Sequence, residues 1–205
     1  MILKVLSVGQ LETNCYIFGD DNTGKVVVID PGDEGEKIYD IIVQNGYIVQ
    51  YIIATHGHVD HISAIKYLKE KTGAQVVIHK DDSDALINSQ KNLSALLGYH
   101  SIQVPADIEV VDGQILSVEK YSLQVIHTPG HTPGGICVLV DNLLFSGDTL
   151  FEKSIGRTDL PGGNHQQLIQ SIKNKLFVLA DHIKVYPGHG YQTTIGIEKE
   201  FNPFL

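Results

Sequence analysis

The segment 55–61, which reads THGHVDH, concentrates side chains that bind metal ions. It carries four candidate ligands within six residues: His56, His58, Asp60 and His61. Imidazole nitrogens and carboxylate oxygens are ligands that borderline cations such as Zn²⁺ accept. His56 and His58 are two residues apart, so an extended backbone points both side chains to the same side. Asp60 and His61 come after the chain turns toward a predicted helix, so this one loop could serve two ions.

Three further candidate ligands follow predicted strands later in the chain. His131 lies in the motif GHTPG, Asp148 in SGDTLF and His189 in PGHG. Each is flanked by glycine, which permits tight turns and close approach of the backbone. Taken singly, each could be an ordinary loop histidine or turn aspartate, and Asp60 could be a helix N-cap. Ligands of open α/β sheets collect at the carboxyl ends of strands, so the combination predicts a metal site.

The elements that would position these residues form two similar halves, each with strands followed by helices. Short runs rich in β-branched and aromatic residues are typical of strands. The predicted strands lie at 2–8, 14–18, 25–30, 51–55, 75–79, 107–111, 114–118, 121–128, 135–140, 142–146 and 183–186. The predicted helices lie at 34–45, 62–71 and 166–179, and the polar stretch 81–106 could hold one or two short helices. This order favours two sheets with helices outside them, an α/β sandwich.

Size and composition limit the possible functions. A chain of 205 residues with 42% hydrophobic residues is predicted to form one domain, 1–205, with a substantial core. The formal charge of −9 disfavours a nucleic-acid partner, which needs a basic surface. Two cysteines make no disulfide scaffold, and no apolar run reaches the length of about 20 residues that spans a bilayer. We therefore expect a cytoplasmic protein that contacts neither membrane nor nucleic acid, and the oligomeric state stays open.

The motifs HGHVDH, GHTPG, SGDTLF and PGHG, in this order along essentially the whole chain, resemble the metallo-β-lactamase superfamily. The resemblance is closest to small glyoxalase II-like (hydroxyacylglutathione hydrolase-like) enzymes. It implies a four-layer αββα sandwich with the metal site between the two halves. It also implies two ions, the first held by His56, His58 and His131, the second by Asp60, His61 and His189, with Asp148 bridging them. Zinc is the expected metal, with iron or manganese as alternatives.

The same resemblance implies hydrolysis of a small acyl thioester of the S-lactoylglutathione type. Two divalent ions can share a bridging hydroxide and stabilise the oxyanion that forms when it attacks a carbonyl. Asp60 is the expected catalytic residue, because its carboxylate could also orient that hydroxide. Asp30, which ends the strand at 25–30, could orient a ligating histidine or could be a simple turn residue.

The predicted substrate residues are Arg157 and Tyr191. Tyr191 matches a tyrosine that the family uses near its substrate. Arg157 replaces the lysine, and Asp159 the tyrosine, that meet glutathione in full-length glyoxalase II. Arg157 could pair with a substrate carboxylate, or it could form a local salt bridge with Asp159, which would repel a carboxylate.

The motif GRTD at 156–159 supports an alternative, a persulfide dioxygenase-like oxidoreductase. Such an enzyme would hold one iron with His56, His131 and Asp148. A non-catalytic metal-binding protein and a true β-lactamase are less favoured. Among the other candidates, His79 and His127 are predicted to be structural, His127 through a backbone hydrogen bond, and Cys15 and Cys137 to be buried and inert.

Overall fold

The computed structural model describes residues 1–98 and 103–205. Its first half forms a six-stranded sheet whose strands lie side by side in chain order. The strands are β1 (Ile2–Val8), β2 (Thr13–Gly19), β3 (Lys25–Ile29), β4 (Ile48–Ile53), β5 (Gln75–His79) and β6 (Ile108–Val110). The first three strands are antiparallel, and β3 to β6 run parallel. The carboxyl ends of β4 and β5 therefore meet at one edge.

The second half forms another six-stranded sheet and a small hairpin. Its strands are β7 (Ile115–Val118), β8 (Tyr121–His127), β9 (Ile136–Val140), β10 (Leu143–Gly147), β11 (Leu150–Phe151), β12 (Ser154–Ile155), β13 (Lys184–Pro187) and β14 (Thr193–Thr194). The sheet has the order β14-β13-β10-β9-β8-β7, while β11 and β12 pair with each other. Strands β10 and β13 are parallel, so the residues that follow them also lie at one edge.

The helices cover the outer faces of the two sheets. They are α1 (Gly35–Gln44), α2 (Val59–Ile62), α3 (Ile65–Thr72), α4 (Ser94–Leu97), α5 (His165–Ser171), continued by a π-helical turn (Ile172–Leu176), and α6 (Ile195–Phe201), with a 3-10 helix at Ser83–Leu86. Apolar residues of α1 and α3 pack on the first sheet, and those of α5 and α6 pack on the second.

Strand alternation places a third apolar layer between the sheets. In β2, Cys15 and Ile17 face the helices, whereas Tyr16 and Phe18 face the second sheet. Tyr16 and Phe18 each contact Phe145 of β10, with ring centroids 5.0 and 5.9 Å apart. Because successive side chains of a strand point to opposite faces, a fully apolar strand is buried on both sides. The layers are helix, sheet, sheet and helix, which confirms the predicted αββα sandwich.

Several predicted boundaries are corrected. The strand predicted at 51–55 runs from Ile48 to Ile53, and the helix predicted at 62–71 is divided into α2 and α3. The division arises because the amide of Ala64 donates to the carbonyl of Pro31 instead of continuing the helix. The stretch 81–106 contains the 3-10 helix and α4, and its residues 99–102 lie outside the described part. Helix α6 and the hairpin of β11 and β12 were not predicted.

Within the described residues, no helix has the length and apolar character needed to cross a membrane.

Candidate metal centre

The structure brings all seven predicted ligands to one edge of the sandwich. They lie on the loops that follow β4, β8, β10 and β13, so each sheet contributes part of the set. Their potential ligand atoms form three overlapping groups, within each of which all atoms lie within 4.8 Å of one another. The groups are His56, His58 and His131; His56, His61 and Asp148; and Asp60, His61 and His189.

In the first group, three imidazole nitrogens face a common point. The Nδ1 atom of His58 lies 3.1 Å from Nε2 of His56 and 2.9 Å from Nε2 of His131. The three rings are nearly perpendicular to one another, with interplanar angles of 79–90°. All three side chains are buried. His58 has an extended backbone, and His56 and His58 direct one nitrogen each to this point, as the sequence predicts.

The outward nitrogens of four histidines are engaged, which fixes the inward nitrogens as acceptors. Carbonyl and carboxylate oxygens only accept hydrogen bonds, so the Nδ1 atom facing each of them carries the proton. Three Nδ1 atoms donate to such oxygens: His131 to Arg157 O at 2.7 Å, His189 to Leu11 O at 2.9 Å, and His61 to Asp30 Oδ2 at 3.0 Å. The Nδ1 atom of His56 donates to the hydroxyl oxygen of Thr55 at 3.2 Å, because the Thr55 hydroxyl donates its own proton to Asp30. The four Nε2 atoms therefore point into the site, where each offers a lone pair when it carries no proton.

These facing lone pairs provide the first test of whether a cation fits. The Nε2 atoms of His56 and His131 both approach His58 Nδ1, which can carry only one proton and donate it to one of them. In the second group, Nε2 of His61 lies 3.2 Å from Nε2 of His189. Neutral imidazoles with inward lone pairs and outward N–H donors are the arrangement of metal-bound histidines. The donor set therefore fits metal ions.

Asp148 lies between the two outer groups. Its Oδ2 atom is 3.6 Å from His131 Nε2 and 3.8 Å from His189 Nε2, and its Oδ1 atom is 3.4 Å from His61 Nε2. Oδ1 is buried, yet it accepts no hydrogen bond from the residues that the structure describes. A Cβ atom on Gly188 would lie 2.3 Å from this Oδ1, so glycine leaves the space around it open. A cation would compensate this buried charge.

The charge distribution differs between the two groups. Burial lowers the pKa of His58 to about 3 and that of His56 well below its usual value, so both are neutral. Burial alone would also lower the pKa of His61, but the carboxylates of Asp148 and Asp60 raise it to about 10. The second group thus attracts a proton when no other cation is present, and a metal ion would supply the same positive charge.

Asp60 and Asp30 have different positions around the second group. Asp60 lies in the first turn of α2, whose N-cap position is His58, so it is not the N-cap. Its Oδ2 is 3.2 Å from His189 Nε2. Asp30 is buried behind His61 and also accepts from the amide and hydroxyl of Thr55, at 2.7 Å each. It holds a left-handed φ of +50°, a conformation that costs energy at a buried position.

The predicted substrate residues lie outside the ligand groups. The Arg157 guanidinium forms two hydrogen bonds of 2.8 Å with the Asp159 carboxylate, so the local salt bridge is present. Tyr191 is largely exposed and lines a cavity of about 190 Å³ together with Tyr16 and Tyr186. A second cavity of about 270 Å³ lies beside His58 and is lined by apolar atoms and Lys91.

The remaining singled-out residues have structural surroundings. His127 Nε2 donates to the carbonyl of Pro133 at 2.9 Å, and its ring stacks on His79. Cys15 and Cys137 are buried free thiols, and burial raises the pKa of both. One buried carboxylate beside the site, Asp82, was missed. Its signal was its position after β5, the parallel neighbour of β4.

Comparison with known proteins places these features in a family. The model described as "Metallo-beta-lactamase superfamily" matches residues 8–189. The chain is 37% identical to the "Probable metallo-hydrolase YqgX" of Bacillus subtilis, over 98% of this chain and 95% of that protein. It is 35% identical to "Hydroxyacylglutathione hydrolase GloC" of Haemophilus influenzae, over 100% of this chain and 98% of that protein.

Similar solved structures include three crystal structures. The BLEG-1 B3 metallo-beta-lactamase has a TM-score of 0.94 and 35% identity, covering 100% of this chain and 99% of its own. TTHA1623 in a di-iron-bound form has a TM-score of 0.87 and 33% identity, covering 98% and 100%. ETHE1 from Myxococcus xanthus has a TM-score of 0.85 and 32% identity, covering 99% and 84%.

Proposed function

Since the chain belongs to the metallo-β-lactamase superfamily, we propose that it is a metal-dependent hydrolase that cleaves small acyl thioesters at a dinuclear site. One observation carries this proposal: six inward-facing ligand residues form two groups of three, and the Asp148 carboxylate, the seventh, lies between them. A set of this size exceeds what one four-coordinate ion needs.

The proposed ligands follow the two outer groups. The first ion would be held by His56, His58 and His131, the second by Asp60, His61 and His189, with Asp148 shared. Zinc is the metal that we propose, and iron or manganese accept the same ligands. The di-iron form of TTHA1623 supports including iron in any analysis of the metal content.

When bound, two divalent ions supply a water-derived nucleophile at neutral pH and stabilise negative charge on a carbonyl oxygen. Asp60 is the proposed catalytic residue of the chain itself. Burial raises its pKa, but His61 and His189 outweigh that effect and hold the pKa well below its usual value. Its carboxylate is therefore ionised at neutral pH. It can accept a hydrogen bond from the attacking water and orient that water toward the carbonyl carbon.

A thioester suits a site that offers little acid catalysis. A thiolate leaving group with a pKa near ~8.5 departs without full protonation. The similarity to GloC of Haemophilus influenzae supports an acylated thiol as the substrate. We propose that Tyr191 contacts the thiol carrier along its cavity and that Arg157 also contacts the carrier.

The proposal predicts loss of thioester hydrolysis when the second group is broken. The Asp60→Ala and His189→Ala variants should each reduce turnover of S-lactoylglutathione by at least about 100-fold, which corresponds to ~2.7 kcal/mol. His165→Ala, which removes an exposed histidine at the start of α5, is the matched control and should keep full turnover. Unchanged turnover in both site variants would exclude the dinuclear mechanism.

A persulfide dioxygenase-like activity is the second candidate. The motif GRTD at 156–159 and the similarity to ETHE1 favour it. Elemental analysis and an oxygen electrode distinguish the two activities. Two ions per chain with thiol release support the hydrolase, whereas one iron with oxygen uptake on a persulfide supports the oxidoreductase. A β-lactam belongs in the same substrate panel because of the similarity to BLEG-1.

A further inference from the structure

Asp82, on the loop that follows β5, joins the two loops that carry the first ligand group. Its carboxylate accepts three hydrogen bonds: Oδ2 from the amide of Gly57 at 3.0 Å and from the hydroxyl of Thr132 at 2.7 Å, and Oδ1 from the amide of Gly134 at 2.7 Å. Gly57 lies between His56 and His58, whereas Thr132 and Gly134 follow His131. The side chain of Asp82 is buried.

We propose that Asp82 is a positioning residue that sets the affinity of the first metal site by fixing these two loops relative to each other. This inference rests on the proposed dinuclear site, which it deepens by assigning a support for one half. Asp82 touches none of the seven donor atoms at hydrogen-bond distance; it acts through the backbone on which His58 and His131 are mounted.

The packing around Asp82 leaves the two loops little freedom. A Cβ atom on Gly57 would lie 2.4 Å from Cβ of Ala85, and one on Gly134 would lie 2.5 Å from the amide nitrogen of Asp82. Only glycine allows the backbone of both loops to approach so closely. The Asp82 carboxylate thus lies between the backbone of the Gly57 loop and the backbone of the Gly134 loop. The short distance between these two loops explains why a short acidic side chain fits there.

A stacked histidine pair lies at the start of two of these segments, the Asp82 loop and the His131 loop, and also connects them. The rings of His79, before the loop, and His127, before the His131 loop, lie 3.9 Å apart at an angle of 12°. His79, Asp81 and His127 also form a potential ligand group. Parallel stacked rings cannot both direct an in-plane lone pair at one ion, and His127 Nε2 donates to Pro133. The pair therefore supports the loop and is not a third metal site.

The second ligand group has its own supports and does not depend on Asp82. His61 is held by Asp30, and His189 is held by the carbonyl of Leu11. The two halves of the centre can therefore be weakened separately. Residues that orient metal ligands from behind typically change metal affinity by about 10- to 100-fold when they are substituted.

The test measures Zn²⁺ affinity of metal-free protein by competition with a chromophoric chelator. Asp82→Asn replaces one acceptor oxygen by an amide that donates, facing groups that also donate. In a His189→Ala background, which keeps the first group intact, it should weaken Zn²⁺ binding by about 10- to 100-fold. In a His131→Ala background, which keeps the second group intact, binding should change less than about twofold.

Two further variants complete the test, one as a control and one as a substitute for Asp82→Asn. Asp84→Asn, two residues along and exposed, removes only the partner of Lys91 and should leave both affinities unchanged. Thr132→Val removes one of the three hydrogen bonds and should weaken Zn²⁺ binding at the first site alone by a few-fold. This variant tests the inference if Asp82→Asn does not fold. Equal effects on both sites, or none on the first, overturn the inference. Absence of Zn²⁺ binding in the unsubstituted protein would instead contradict the proposed function.

Discussion

Arg157, the residue that we propose contacts the thiol carrier, forms an exposed ion pair with Asp159. Both guanidinium contacts with the carboxylate are 2.8 Å long, and the pair holds the pKa of Asp159 at about 2. Asp159 is thus ionised at neutral pH and offsets the charge of Arg157. At the level of single residues, we therefore propose that this pair disfavours a glutathione-like carrier and favours an uncharged one.

Asp159→Asn should therefore increase kcat/KM for S-lactoylglutathione while leaving that for an uncharged acyl thioester unchanged. The substitution removes a negative charge and frees the guanidinium, and exposed pairs have small effects, so we expect about a three- to fivefold gain. Initial rates on the two substrates measure it. In an Arg157→Ala background the gain should disappear. An equal change on both substrates would contradict the assignment of Arg157 to substrate binding.

Which residues face the centre could be predicted from the sequence, but how they are held could not. His56, His58, Asp60 and His61 form a dense motif, and three more candidates follow strands. The acceptors behind His131 and His189 are the carbonyls of Arg157 and Leu11, and every residue has such a carbonyl. No side-chain type marks these contacts, so only the folded chain reveals them.

At the level of elements, the end of β5 contacts β8 of the second sheet through a buried histidine. His79 is buried, its Nδ1 accepts from the amide of Asp81 at 3.2 Å, and its ring stacks on His127. Burial, together with the neighbouring His127, lowers its pKa to about 4. Between about pH 4 and pH 6.5, His79 is therefore neutral in the folded protein, whereas the same side chain binds a proton in the unfolded chain.

The free energy of unfolding should consequently fall as the pH drops from about 6.5 to about 4, since the unfolded state binds more protons in that window. Above pH 6.5 the contribution of His79 is fully present. After allowance for solvent screening we expect a loss on the order of 1 kcal/mol. The measurement is urea denaturation of metal-free protein at several pH values, for the unsubstituted chain and His79→Gln.

The difference between the two proteins isolates His79, because the histidines of the centre contribute equally to both. That difference should shrink as the pH falls. The groups facing this ring are His127, Asp81, Lys80 and Asp112. A difference that stays constant from pH 7 to pH 4.5 would show that His79 does not titrate in this window.

The sequence predicted the strands of both sheets better than the short helices. The strands have continuous β-branched runs, such as 25–29, and these runs favour a strand without any contact from the rest of the chain. The break between α2 and α3 depends on the carbonyl of Pro31, a contact between distant residues. Helix α6 is seven residues long, and its buried Glu198 accepts hydrogen bonds from Thr193 and Asn202. Such side-chain contacts form only in the folded chain, so the sequence pattern alone did not predict this helix.

At the level of the whole molecule, the centre lies where the two sheets meet. The loop after β4 belongs to the first sheet, and the loops after β8, β10 and β13 belong to the second. The apolar layer between the sheets joins them along their faces, and the ligand set joins them again at one edge. Bound ions would therefore add to the free energy of unfolding.

Removal of both ions should lower the melting temperature by about 16–32 °C, which is about 8–16 °C for each ion. An ion at 1,000 times its Kd adds ~4 kcal/mol, and ~1 kcal/mol shifts Tm by about 2–4 °C in proteins of this size. Differential scanning calorimetry with and without a chelator measures the change. The His131→Ala, His189→Ala double variant should not respond to the chelator. An unchanged Tm after verified metal removal would mean that the centre does not stabilise the junction.

The span of the ligand set also matters while the chain is being made. The loop with His56, His58, Asp60 and His61 leaves the ribosome long before His189, which is supplied near the other end of the chain. Until then only the first group can form, because His131 completes it earlier in the chain, and the second group lacks one ligand. The proposed second ion would therefore meet its full set of ligands only after β13 and the loop that follows it are in place.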